Sequence, residues 1–304
     1  MTRFAQPFET FTEPARQRAE IWRTVLGIVM ILGFAAGVIA LGLFTAGIVL
    51  GSEVILQTVA ELEGGGGDKS IFVLLSFFAA FWPALWLTLR LLNRRKFRTL
   101  FGPSGFVVSE FAFGFLIIAG FGILTLGLTL PFFPVQQNLE LSAWLRMLPL
   151  GLVLIFFQSS AEELFFRGYL QQQLAARFQS PLIWMLVPSI LFGLGHMAPE
   201  YGANNLLVVA VLTISGLIAA DVTRRTGGLS LAIGLHVANN ILAILIIGFD
   251  TPMGSASLWV DPTPLSDTTA IRANLLVTLA GMLVTYGVAL WIARRFLPTP
   301  ATPS

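Results

Sequence analysis

Thr24–Leu50 reads TVLGIVMILGFAAGVIALGLFTAGIVL, a run with no Asp, Glu, Lys, Arg or His from its first residue to its last. An apolar helix crosses the hydrocarbon core in roughly 20 residues, so this stretch suffices for one crossing with some tilt. Arg23 opens it, and it lacks the short apolar region and small-residue cleavage site of a removable leader; a permanent membrane helix is expected. Composition extends that reading to the whole chain of 304 residues, which is 56% hydrophobic and 11% charged. A soluble fold carries about 25% charged side chains, so this one cannot coat a globule. A soluble enzyme, a nucleic-acid binder and a disordered scaffold are thereby excluded. The 18 basic and 16 acidic residues are too evenly matched for a nucleic-acid footprint. With no cysteine, disulfides, thiolate metal sites and cysteine nucleophiles are ruled out.

Seven further apolar stretches follow at approximately Ile71–Leu89, Val107–Leu130, Met147–Tyr169, Leu182–Met197, Asn205–Ala220, Leu229–Phe249 and Ala273–Ala293. Lys and Arg are retained on the cytoplasmic side of short loops, which orients the chain. With the N-terminus inside, Arg3, Arg16, Arg18, Arg23, Arg90, Arg94, Arg95, Lys96, Arg98, Arg167, Arg177, Arg224, Arg225, Arg294 and Arg295 all fall inside. Only Lys69, Arg146 and Arg272 of the 18 basic residues fall outside. The expected fold is all-α, a polytopic transmembrane helical bundle of about eight spans with both termini cytoplasmic. Basic helix-end clusters such as Arg94–Arg98 read as topology signals rather than docking sites. Gly64–Gly67, Phe101–Gly105 and the Pro-rich Thr251–Pro264 read as connecting turns or loops. Gly33 and Gly37 form a small-xxx-small pair whose ordinary meaning is helix packing.

Ionisable residues inside spans are expensive, at least about 2.5 kcal/mol each at the bilayer centre, and so point to function. The fourth span contains Gln158–Ser159–Ser160–Ala161–Glu162–Glu163–Leu164–Phe165–Phe166–Arg167. Glu163 and Arg167, four apart, share a helix face and can pair. Glu162 is rotated about 100° from its neighbour and has no built-in cation, the setting in which a carboxylate serves as general acid or base. The alternative is a hydrated interfacial pair with Arg167 snorkelling beside it. Both histidines of the chain lie in spans, His196 after Phe192 and His236 before Asn240. Counting from the turn at Ser180–Pro181 places Glu162 and His196 at similar depth, and His236 lies about 12 Å into its helix at 1.5 Å per residue. Asn240 shares the His236 face, whereas Asn239 points elsewhere. A carboxylate, two imidazoles and an amide suit acyl hydrolysis: one group deprotonates water and others stabilise the oxyanion. Glu162, His196 and His236 could equally be Zn²⁺ ligands, although His-x-x-x-His on one helix is absent. A secondary transporter or proton relay could use the same set, and a non-catalytic membrane scaffold could retain it.

The ordered motifs Glu162–Glu163–x–x–x–Arg167, Phe192–x–x–x–His196 and His236–x–x–x–Asn240 resemble those of the CPBP intramembrane proteases, the CAAX protease and bacteriocin-processing family that includes type II CAAX prenyl endopeptidases. The resemblance covers roughly Leu145 to Phe249. It implies a catalytic core at residues 146–249, preceded by a segment with three spans at 1–145 and followed by an outer loop and final span at 250–304. It further implies Glu162 as the water-activating base with His196 its partner, His236 and Asn240 as the oxyanion-stabilising pair, and Glu163 and Arg167 as supports. The substrate would be a peptide or protein, lipidated or otherwise membrane-anchored, and the location a bacterial plasma membrane. The family's chemistry accommodates either a metal ion or metal-free glutamate catalysis, and the residues leave both open.

Overall fold

The structure, a computed structural model, describes residues 8–64, 70–129 and 135–296. The expected glycine turn beyond Gly64, together with Arg3 and Lys69, falls outside them. The chain folds into helices α1 (Phe8–Arg16), α2 (Ile21–Leu50), α3 (Ser52–Gly64), α4 (Ile71–Asn93), α5 (Val108–Thr129), α6 (Leu141–Arg177), α7 (Leu182–Leu194), α8 (Asn205–Thr226), α9 (Ser230–Ile246) and α10 (Thr268–Phe296). Six of these helical stretches are long and apolar enough to cross a membrane: α2, α4, α5, α6, the 28 residues Pro199–Thr226 that include α8, and the α10 stretch Thr268–Ile292. Each of the eight apolar stretches read from the sequence therefore forms a helix, but α7 and α9, which lie in the histidine-bearing stretches, are shorter apolar helices.

The exposed surface confirms that the bundle's outside is not built for water. Leu41, Phe44, Ile48 and Val49 of α2 are 65–73% exposed and apolar, as a lipid-facing helix requires. Inside, Phe11, Leu85, Leu89, Leu100, Leu164, Tyr169, Leu229 and Ile233 form a continuous core with almost no exposure. Lipid is as apolar as leucine, so helices in a membrane associate through close backbone approach rather than hydrophobic burial. Two such crossings hold the short helices. A methyl at Gly193 of α7 would sit 2.5 Å from the Val209 carbonyl oxygen of α8, and one at Gly234 of α9 would strike the Phe111 carbonyl of α5. By contrast, Gly33 and Gly37 have nothing within 4 Å, so the pair singled out in the sequence packs no helix among the described residues.

The stretch Thr251–Pro264 is not merely a loop. Its residues Trp259–Asp261 form β3, which lies between β1 (Gln136–Gln137), paired antiparallel, and β2 (Ile247–Phe249), paired parallel. Asn138 clips this patch by donating from Nδ2 to the carbonyls of Gly254, Ser255 and Ser257. The Gly-Pro-Ser-Gly stretch does break the chain as expected, with Gly102 at φ 95° and Gly105 at φ 69°, conformations that favour glycine.

Candidate active site

α6 runs unbroken for 37 residues, past the expected end at Tyr169 to Arg177. Its character changes at the acidic pair: α-helical through Glu163, it widens into a π-helical segment over Leu164–Gln171. Such widened turns are rare and concentrate at functional sites. Here it directly follows Glu162 and Glu163 and contains Arg167.

Arg167 is buried at 2% exposure and donates from Nη1 to Glu163 Oε1 at 2.9 Å. Its Nη2 donates to the Gly216 carbonyl of α8 at 3.2 Å. The guanidinium carbon also stands 4.9 Å from the Phe192 ring centre of α7. One cation thus joins three helices. Glu163 in turn bonds across to α9, where His236 Nδ1 lies 2.8 Å from Glu163 Oε1. If that nitrogen carries the proton, the carboxylate accepts it and His236 Nε2 is left with its lone pair. Nε2 faces Glu162 Oε2 at 3.4 Å, and Glu162 Oε2 is buried without a hydrogen-bond partner. Glu162, which has no cation on its own helix face, therefore meets one of the two imidazoles.

Asn240, one turn beyond His236, donates from Nδ2 to Gln158 Oε1 at 2.8 Å and to Ser159 Oγ at 3.2 Å. Ser159 Oγ also bonds Gln158 Oε1 at 3.1 Å. Gln158 and Ser159 are thus part of the site although they carried no role in the sequence reading. The available signal was their position: Gln158 precedes Glu162 by four residues and shares its face. Asn239, expected to point elsewhere, is exposed yet donates to Asn240 Oδ1 at 3.2 Å.

His196 stands apart. α7 ends at Leu194 rather than Met197, and the exposed His196 occupies the turn that follows. Its Nδ1 is held 2.8 Å from the Phe192 carbonyl, which leaves Nε2 free. The Phe192 ring is near both imidazoles, 4.7 Å from His196 and 6.0 Å from His236 by ring centres. The structure thus joins Glu162, Glu163, Arg167 and His236 in one contact chain, ties Asn240 to Gln158 and Ser159 on the helix that carries the acids, and sets His196 against Phe192.

Residues 143–242 match the family described as type II CAAX prenyl endopeptidase Rce1-like. That segment resembles the Rce1-like family. The chain is also similar to the uncharacterized protein YyaK of Bacillus subtilis (strain 168), 29% identical over 227 residues that cover 70% of this chain and 72% of that protein. No solved structure matches it. The Rce1-like segment contains all six candidate residues and leaves out α1 to α5 and α10.

A metal centre needs three or four converging donors. The imidazole Nδ1 atoms of the Rce1-like segment are tied back to a carboxylate and a carbonyl, as in many metal sites. Yet among the described residues no three His, Asp or Glu side chains gather closely enough to hold an ion. Glu162 and His236 supply two donors and His196 does not join them, so the set as arranged does not fit Zn²⁺.

Proposed function

We propose that this integral membrane protein is an intramembrane endopeptidase in which Glu162 activates water against a peptide bond. The observation that carries the reading is the contact chain Glu162–His236–Glu163–Arg167, in which a carboxylate oxygen, Glu162 Oε2, without a hydrogen-bond partner faces an imidazole that a second carboxylate orients. The protease family supplies the substrate class, a peptide or protein.

The chemistry follows from the contacts. Glu162 takes a proton from water while the hydroxide oxygen bonds to the scissile carbonyl carbon. That proton passes to His236 Nε2, 3.4 Å from Glu162 Oε2, and the resulting imidazolium is stabilised through Nδ1 by Glu163, much as an aspartate supports a histidine in a hydrolase triad. The tetrahedral intermediate collapses as the C–N bond breaks and His236 returns the proton to the departing amine nitrogen. The products are a carboxylic acid and an amine, so both protons of the water are accounted for. Oxyanion stabilisation falls to the side chains not used as base or shuttle, His196 Nε2 and the Asn240 amide. Asn240 reaches that role by releasing Ser159, the longer of its two Nδ2 contacts. These contacts exchange the positions the resemblance implied for the two imidazoles: His236, rather than His196, lies beside Glu162.

We place the protein in a bacterial plasma membrane, on the strength of its Bacillus relative. A lipidated or membrane-anchored substrate suits a site on helices whose outer faces are apolar. The test is peptide mass spectrometry of membranes carrying the native chain or Glu162→Gln. Product peptides should vanish in the variant while folded protein remains, and wild-type turnover by purified Glu162→Gln would sink the assignment. Turnover should also be unchanged by a chelator; loss on chelation with recovery on adding Zn²⁺ would overturn metal-free catalysis.

A further inference from the structure

Away from this site, the connection after α4 forms a cavity of about 560 Å³ lined by Trp86, Arg90, Arg94, Arg95, Lys96 and Phe97. Four cations face it and, among the described residues, no carboxylate does. A cluster that served only as a topology signal has no reason to converge; its side chains would repel one another and spread into water. Here the backbone forces convergence. Arg94 adopts φ 53°, the one positive φ at a non-glycine position among the described residues, and the left-handed turn folds Arg95 and Lys96 back beneath Arg90.

Two observations show that the cavity is built rather than incidental. Arg95 is held by its Nη1, which donates to Gln172 Oε1 and lies 3.4 Å from Thr99 Oγ1, while its Nε and Nη2 are buried without a partner. Burial pulls this guanidinium down to about 10, so it remains a cation at neutral pH with two unanswered donors. At the membrane edge, Arg90 stacks toward Trp86, with 5.9 Å from guanidinium carbon to ring centre. Trp86 and Leu91 are 49% and 56% exposed at the end of the span.

We propose that this cavity binds the phosphate of an anionic phospholipid headgroup. A forked guanidinium presents paired donors that match phosphate oxygens. Trp86 and Phe97, which line the cavity, supply an apolar wall for the first part of an acyl chain, which favours a lipid over free phosphate. An indole at the headgroup level is the usual membrane-interface anchor. The proposal is independent of the proteolytic reading, since none of these side chains belongs to the Glu162–His236 chain.

The experiment reconstitutes the full chain in nanodiscs of phosphatidylcholine mixed with phosphatidylglycerol and counts retained lipids by native mass spectrometry after delipidation. Arg90→Gln combined with Arg94→Gly removes two cavity charges while glycine preserves the left-handed turn. Arg16→Gln combined with Arg98→Gln removes the same charge from exposed positions outside the cavity. The cavity pair should weaken phosphatidylglycerol retention roughly 10- to 30-fold, whereas the outer pair should change it by less than about threefold. Lys96→Gln alone, which leaves the turn untouched, should weaken retention by roughly fivefold and covers the case of a misfolded double variant. Equal losses in the two double variants, or no preference for phosphatidylglycerol over phosphatidylcholine in the native chain, would overturn the proposal. So would inorganic phosphate displacing the lipid completely at equal concentration, because the apolar wall would then contribute nothing.

Discussion

Replacing Arg167 by Met keeps the side chain's bulk but removes the charge that answers Glu163. Both partners are 2% exposed, so water cannot take over the lost contact. Breaking a buried pair from one side costs about 3–5 kcal/mol, because the remaining charge stays desolvated. The lost bond to the Gly216 carbonyl and the contact with the Phe192 ring each add roughly 1 kcal/mol, partly offset by methionine packing against the same ring. A net loss of about 4–6 kcal/mol is expected, measured by SDS titration of the detergent-solubilised protein followed by tryptophan fluorescence. Glu163→Gln in the Arg167→Met background removes the stranded charge while keeping an acceptor for His236, so the double variant should recover at least about 2 kcal/mol over the single. A single-variant loss under about 1 kcal/mol, or a double variant less stable than Arg167→Met, would show that the pair is not what joins α6, α8 and α9.

Other outcomes follow from the same contacts. Gln158→Ala removes the acceptor that holds Asn240 at 2.8 Å; kcat should fall by roughly tenfold with little change in KM, and Gln158→Glu, which retains the acceptor, should restore most of it. His236→Ala should lower kcat/KM by about 10²- to 10⁴-fold, more than His196→Ala, because His236 alone faces Glu162 within 3.4 Å; the reverse order in a peptide-cleavage assay would return the proton-shuttle role to His196. Gly193→Val should destabilise the bundle by about 1–3 kcal/mol in the SDS titration while Gly33→Val leaves it unchanged, since only the first meets a carbonyl at 2.5 Å. Equal effects at the two glycines would contradict the packing described.

What the sequence made legible was whatever depends on one helix at a time. Charge-free length identified the helices, and four-residue spacing paired Glu163 with Arg167, because both rules act within a single element. Contacts between elements were less accessible. Gly33 and Gly37 carry the right local spacing but face no neighbour, while Gly193 and Gly234 lie at close crossings that no one-helix pattern marks. The strand Trp259–Asp261 was hidden in a Pro-rich stretch because its hydrogen bonds go to residues far away in the chain. Depth counting also could not tell the two histidines apart. It treated every apolar run as a straight rod, which places His196 and His236 level with Glu162 as equals. α7 in fact stops at Leu194, and its histidine sits in the turn that follows, against the Phe192 ring. Two imidazoles that look interchangeable in the sequence thus have different environments. One is half-buried against two carboxylates; the other is exposed, fixed through Nδ1 to a carbonyl, and able to present Nε2 to whatever enters the site. That difference in surroundings comes from where a helix ends, a property set by packing between elements, and motif spacing alone does not carry it.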